Sequence, residues 1–260
     1  MKTVIIQSFR THDIPAWIAR CLASVKAWAH ASGHDHWMTD DSCFRLCGAD
    51  YLSKVGDNKR SITNLARLEL IKLAHAQGYE RAIWMDADIF VFDPESLRFD
   101  LTEGCAFVGE TWVWHNPPRL WTIDASVNNS VVLAMDREPD IDFIIQTTRY
   151  VARHKPITSN YQVGGDIVKG LRRILRYRTL DNVGMFSQFV VHALATGRED
   201  ILDMQARHGT SVHAANLCAS EHHAPQVPEA TVMRAMDLLE TTRGGVINER
   251  VAGQPTLDRF

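Results

Sequence analysis

The run Ala82-Ile83-Trp84-Met85-Asp86-Ala87-Asp88-Ile89-Phe90-Val91-Phe92 constrains this chain most: two carboxylates, one residue apart, framed on both sides by apolar residues. A strand entering the middle of a sheet reads as a near-continuous apolar run. Acids at its carboxyl end are costly to desolvate unless something cationic neutralises them. The carboxyl ends of strands are also where open α/β sheets bind ligands. A divalent ion sharing these oxygens with a diphosphate meets both conditions. An exposed turn with two solvated acids is the alternative.

The surroundings fit an α/β chain. Thr3 to Gln7 reads as a buried strand, Pro15 opens a helix to about Ala31, and His36 to Thr39 is a second strand. A further helix begins at Ser61-Ile62-Thr63-Asn64, with Leu65, Leu68, Ile71 and Leu73 as its apolar face and Gly78 at its end. Arg67 lies one turn after Asn64, so the two share a face. Arg81 to Met85 is the strand that delivers Asp86 and Asp88, which fall on one side if the backbone stays extended. Downstream, Cys105 to Gly109 reads as a strand and Thr111 to Trp121 as an aromatic-rich, substrate-facing loop. Val127 to Met135 is a strand with Asn128, Asn129 and Ser130 at its start. Helices are expected around 141–152, 166–177, 184–196 and 228–241, and a short strand at Thr210 to Ala214. Strands alternating with helices predict a mostly parallel central sheet flanked by helices.

Composition sets outer limits. At 260 residues the chain suffices for one large domain, and it shows no linker, repeat or low-complexity tract. A formal charge of -3 argues against general nucleic-acid binding but not against a local basic site. The opening apolar stretch is too short for a signal peptide and no run approaches a membrane span, so a cytoplasmic protein is expected. Cys21, Cys43, Cys47, Cys105 and Cys218 form no paired framework and read as reduced thiols.

A metal held by Asp86 and Asp88 needs a further ligand. His213, after a short apolar stretch, is the candidate, with a satisfied structural histidine as the alternative; manganese accepts such mixed ligation. Arg67 either serves this site or pairs with Glu69 or Glu80. Lys169, Arg172, Arg173 and Arg176 form one positive stripe on a helix, read either as a solvated face or as contact with an anionic acceptor. Trp112, Trp114 and Trp121 read equally as a sugar-acceptor groove or as core. His30, His34, His36, His222 and His223 read as surface.

The segments Asn64-Leu65-Ala66-Arg67-Leu68-Glu69-Leu70 and Tyr79 to Asp88 together resemble the donor site of GT-A fold glycosyltransferases, most closely the retaining families 8 and 32. The opening Val4-Ile5-Ile6-Gln7, the stretches Ile14 to Ile18 and Cys21 to Trp28, Asn128 to Leu133 and Gly164-Gly165-Asp166 extend the resemblance over most of residues 1–215. It implies a single Rossmann-like GT-A domain, with 1–110 as nucleotide-sugar half and 111–260 as acceptor side and C-terminal helix. It implies Mn2+ or Mg2+ and a nucleotide-diphosphate sugar, uridine before guanosine, with retention of configuration. Asp86, Ala87 and Asp88 would hold metal and donor, His213 would be the late metal ligand, and Arg67 would touch the donor sugar or the first aspartate. Asn129 would hold sugar hydroxyls, Asp166 would face the reacting centre or the acceptor, and Gln7 and Phe9 would meet the nucleobase. Asn64 stands where family 32 usually has aspartate, Ser130 and Gly165 replace glycine and proline, and the His-x-x-Gly-x-x-Lys-Pro-Trp ending of family 8 is missing. Two other readings of the acid pair are a haloacid-dehalogenase-like phosphatase with Asp86 as nucleophile and a non-catalytic nucleotide- or carbohydrate-binding protein.

Overall fold

The computed structural model describes residues 1–115, 121–159, 161–219 and 226–251. The chain begins β1 (Thr3–Ser8), α1 (Ala16–Ala31), β2 (Asp35–Thr39), a 3-10 segment (Asp41–Cys47), α2 (Ala49–Val55), α3 (Lys59–Ala76), β3 (Arg81–Met85) and β4 (Ile89–Val91). It continues β5 (Cys105–His115), β6 (Trp121–Met135), α4 (Pro139–His154), α5 (Gly165–Leu175), β7 (Arg178–Leu180) and β8 (Val183–Met185). The last elements are α6 (Gln188–Thr196), α7 (Glu199–Ala206), β9 (Ala214–Asn216), α8 (Glu229–Thr242) and α9 (Gly245–Val251).

The result is an α/β molecule whose central sheet has the order β2-β1-β3-β6-β5-β7 and is parallel except for β6. A smaller sheet, β4-β9-β8, stands beside it. The apolar runs of β1 and β3 are buried on both faces, with Val4, Ile6, Ala82 and Trp84 in the core toward α3 and Ile5, Ile83 and Met85 in the core toward α1. A third core joins α1, α6, α7 and α8 to the smaller sheet. Residue 110 falls inside β5, so the donor and acceptor halves read from the sequence share one sheet. All five cysteines are buried and unpaired.

Several boundaries differ from the sequence reading. The α3 helix starts two residues early because the Asn58 side chain accepts from the Ser61 amide at 3.1 Å. Its inner face carries Leu70, while Leu73 is 38% exposed. The expected loop from Thr111 is the outer part of β5: Thr111 and Val113 are wholly buried and Trp112 and Trp114 half-exposed, the period-2 alternation of a strand. Residues 116–120 of that loop, with His222 and His223, lie outside the described residues. Residues 184–185 belong to β8, and α6 begins only after Ser187, whose hydroxyl accepts from the Val190 amide. The helix expected to reach 177 stops at Leu175, where Arg176 turns left-handed (φ 55°). The strand expected at 210–214 is displaced to Ala214–Asn216, where both β4 and β8 are available as partners.

Candidate active site

The site is built on a break in a ladder. Phe107 pairs with Val132 but Val108 pairs with Asn128, so residues 129–131 of β6 have no partner on β5. Such bulges free backbone groups and re-aim side chains. Because β6 runs antiparallel to β3, the freed residues arrive beside the carboxyl end of β3, where the acids are.

Asp86-Ala87-Asp88 carries the chain from the large sheet to the small one in a tight turn, closed by the Ile89 amide donating to the Asp86 carbonyl at 3.1 Å. The expected extended backbone is therefore corrected to a turn, since the strand cannot continue where the chain changes sheets. The Asp86 amide donates to the Ser130 carbonyl at 2.8 Å, and the Asp86 carbonyl accepts from Gln7 Nε2 at 3.3 Å. Its Oδ1 accepts from Trp84 Nε1 at 2.6 Å and lies 3.3 Å from Arg67 Nη2. Arg67, 5% exposed, also donates to the Asn129 carbonyl and sits over the Trp84 ring. Neither Glu69 nor Glu80 is its partner: they pair with Arg149 and the N-terminus. Asn129 Nδ2 donates to Asn64 Oδ1 at 3.0 Å, and a Cβ on Gly164 would come within 1.9 Å of that Asn64 amide. Gly164 is thus required for α5 to begin against Asn64.

Asp88 is held from the small sheet. Its Oδ1 accepts from Asn216 Nδ2 at 2.7 Å, and its carbonyl accepts from the Leu217 amide at 3.1 Å. Burial pushes both carboxyls up, Asp88 to about 7 with the charge of Asp86 as the second cause. Burial also draws the Arg67 guanidinium down, against the pull of the two acids. The chemistry of this donor set fits a divalent cation: of the two carboxylates only Asp86 has an ion pair, and the second oxygen of each accepts no hydrogen bond among the described residues. Hard oxygens with spare lone pairs are what such ions take.

His213 is not brought to the pair. It stands opposite Phe92, three residues before Asn216, or about 10 Å along an extended chain. Its Nδ1 lies 3.0 Å from Asp93 Oδ2, and Arg243 flanks the other oxygen at 3.4 Å. The side chain of His213, expected at the metal, is on Asp93, and the side chain on Asp88 is Asn216. Among the described residues, no group of three Asp, Glu, His or Cys side chains with ligand atoms within 4.8 Å of one another includes Asp86 or Asp88.

Gln7 is also corrected. It is wholly buried, with Nε2 on Asp86 and Oε1 3.1 Å from His36 Nε2, so it props the turn and faces no opening. Phe9 is partly exposed where β1 ends, with the Arg10 guanidinium 5.3 Å from its ring. Ala87 is half-exposed at the turn, and Asp166 is exposed in the first turn of α5, two residues beyond Gly164. Lys169, Arg173 and Arg176 are exposed, whereas Arg172 is half-buried with its guanidinium 5.9 Å from the Tyr177 ring. Ile174, beside that stripe, is 70% exposed.

No protein-family model matches this sequence, and neither does any curated protein. Among solved structures the chain is similar to glycosyltransferases. One is involved in glycosylation of the major capsid of PBCV-1: identity is 10%, over 90% of this chain and 98% of that one, with a TM-score of 0.49. Another is GlyE of Streptococcus pneumoniae TIGR4, at 13% identity over 95% and 64% of the two chains and a TM-score of 0.47. A third is the galactosyltransferase LgtC in complex with donor and acceptor sugar analogues, at 13% identity over 94% and 95% and a TM-score of 0.48. No helix among the described residues is long and apolar enough to cross a membrane.

Two supports escaped the sequence reading. Asn216 carried no signal, since its role depends on β9 lying against β4. Glu110, half-buried, accepts from Asn128 Nδ2 at 2.7 Å; its place in an alternating strand was the available clue.

Proposed function

We propose that this chain is a metal-dependent glycosyltransferase of the GT-A type, a single functional unit that moves a sugar from a nucleotide-diphosphate donor to an acceptor. The observation that carries the reading is the Asp86–Asp88 turn, where two half-buried acids at the carboxyl end of the sheet have one ion pair, that of Arg67 with Asp86. Asp86 and Asp88 would hold a manganese or magnesium ion, and a uridine diphosphate sugar is the first donor to try. When bound, the ion supplies positive charge against the leaving diphosphate.

The chain's own residues divide the remaining work. Trp84, Gln7 and Ser130 fix Asp86, and Asn216 fixes Asp88, so the carboxylates meet the donor already oriented. Arg67 opposes the rise that burial imposes on the Asp86 carboxyl and adds a buried positive charge where negative charge develops. Asn129, locked by Asn64, presents its remaining amide oxygen to sugar hydroxyls. Asp166, exposed in the first turn of α5, would face the acceptor. Retention then proceeds either through a carboxylate nucleophile, for which Asp166 is the candidate, or by same-face attack assisted by the leaving phosphate.

The test is a thermal-shift series with Mn2+, UDP and both together, followed by donor hydrolysis on wild type and Asp88→Asn. Stabilisation by nucleotide that requires the metal, and its loss in the variant, is the expected result. Phosphate release from a monoester instead of sugar release from a donor would replace this reading with the phosphatase one.

A further inference from the structure

Beyond the bulge, the outer parts of β5 and β6 form an arm with two unlike faces. Thr111, Val113 and Val127 are at most 2% exposed on one side. Glu110, Trp112 and Trp114 alternate along the other, with Asp124 and Asn128 facing them from β6, and every one of these is at least partly exposed. Hydrogen bonds fix this face: Trp114 Nε1 donates to Asp124 Oδ2 at 2.8 Å, and Asn128 Nδ2 to Glu110 Oε2 at 2.7 Å.

The face is continuous with the acid pair. Asn128 Oδ1 accepts from the Ser130 amide at 2.8 Å, and the Ser130 carbonyl accepts from the Asp86 amide at 2.8 Å. Three hydrogen bonds therefore lead from Glu110 to the turn that carries the acids. Glu110, Asp86 and Asp88 also all act electrostatically on the buried Cys218. The second oxygen of the Glu110 carboxylate accepts no hydrogen bond among the described residues.

We infer that this face is the acceptor subsite and that it receives a neutral saccharide. The inference rests on the glycosyltransferase reading above. Aromatic faces pack on the CH faces of a pyranose ring, and the free carboxylate oxygen accepts a hydrogen bond from the hydroxyl to be glycosylated. Glu110 has a binding role here and forms no bond to the donor. Two carboxylates, Glu110 and Asp124, disfavour an anionic acceptor on this face, and Lys169 at its edge already supplies positive charge to Glu110.

The full chain is titrated with methyl glucosides, methyl galactosides, methyl mannosides, lactose and maltose, and tryptophan fluorescence is followed. At least one saccharide changes the emission of wild type, and Glu110→Gln and Trp114→Ala each weaken its binding by about tenfold, or about 1.4 kcal/mol. Trp114→Phe, which keeps an aromatic face, recovers most of the affinity. Trp112 packs against the core, so its variants are not used. If no saccharide in the panel binds, or if Glu110→Gln and Trp114→Ala bind it like wild type, the inference falls. Nucleotide-induced thermal shifts on the wild-type sample report the donor side separately: their absence overturns the glycosyltransferase reading, whereas their presence without saccharide binding overturns only the acceptor subsite.

Discussion

Asp88 and Asp93 stand at the two ends of β4 and both face the segment around β9, yet they are provided for differently. Asp93 has His213 on one oxygen and Arg243 near the other, and it caps a turn through its carbonyl. Asp88 has one neutral amide, Asn216, and a second acid for a neighbour. A buried carboxylate with its own guanidinium and imidazole partners is a structural part. One left without them stores a demand for positive charge that a ligand can meet. The pair therefore distinguishes architecture from function within a single three-residue strand.

Exchanging the charge on each side should separate them most strongly. Asp88→Asn should reduce donor turnover by about a hundredfold or more, with unfolding little changed. Asp93→Asn should instead cost about 1–3 kcal/mol of stability by turning an amide donor toward Arg243 or His213, with metal-dependent nucleotide binding retained. Comparable loss of turnover in both would break the contrast.

A smaller but cleaner signal comes from pH. The folded Asp88 carboxyl titrates near 7 and its ordinary value is 3.8, so the folded state holds the proton more tightly. Metal-free protein should lose stability as pH rises from about 4 to about 7, and Mn2+ should restore it at the upper end. Asp88→Asn should flatten the slope and abolish the restoration; an unchanged melting profile would show that the acid is not desolvated.

Gly164→Ala drives a methyl into the Asn64 amide and should cost about 1–3 kcal/mol, with weakened donor binding because Asn129 loses its anchor. His213→Ala should have the smallest effect on the site: a modest fall in melting temperature and an unchanged Mn2+ titration. A weaker Mn2+ response would restore the histidine to the metal.

The acids, Arg67 and the strand–helix alternation were legible because each is written locally: apolar runs, helical spacing, caps. What escaped was set by partners distant in sequence. Ala214-Ala215-Asn216 carries little strand character, and it is a strand because β4 and β8 flank it. A reading frame displaced by a few residues then put His213 where Asn216 stands. On β5 the alternation is present at 111–114, where buried Thr111 and Val113 alternate with Trp112 and Trp114, but the aromatic cluster resembles that of a loop.

The interruption at residues 129–131 has a consequence for how this site can vary. The carbonyls of Asn129 and Ser130 grip the guanidinium and the acid through main-chain atoms, which every amino acid possesses. Side chains there can drift without loosening that grip, while inserting or deleting one residue would dismantle it. Counting positions, rather than matching letters, is the way to look for kindred chains.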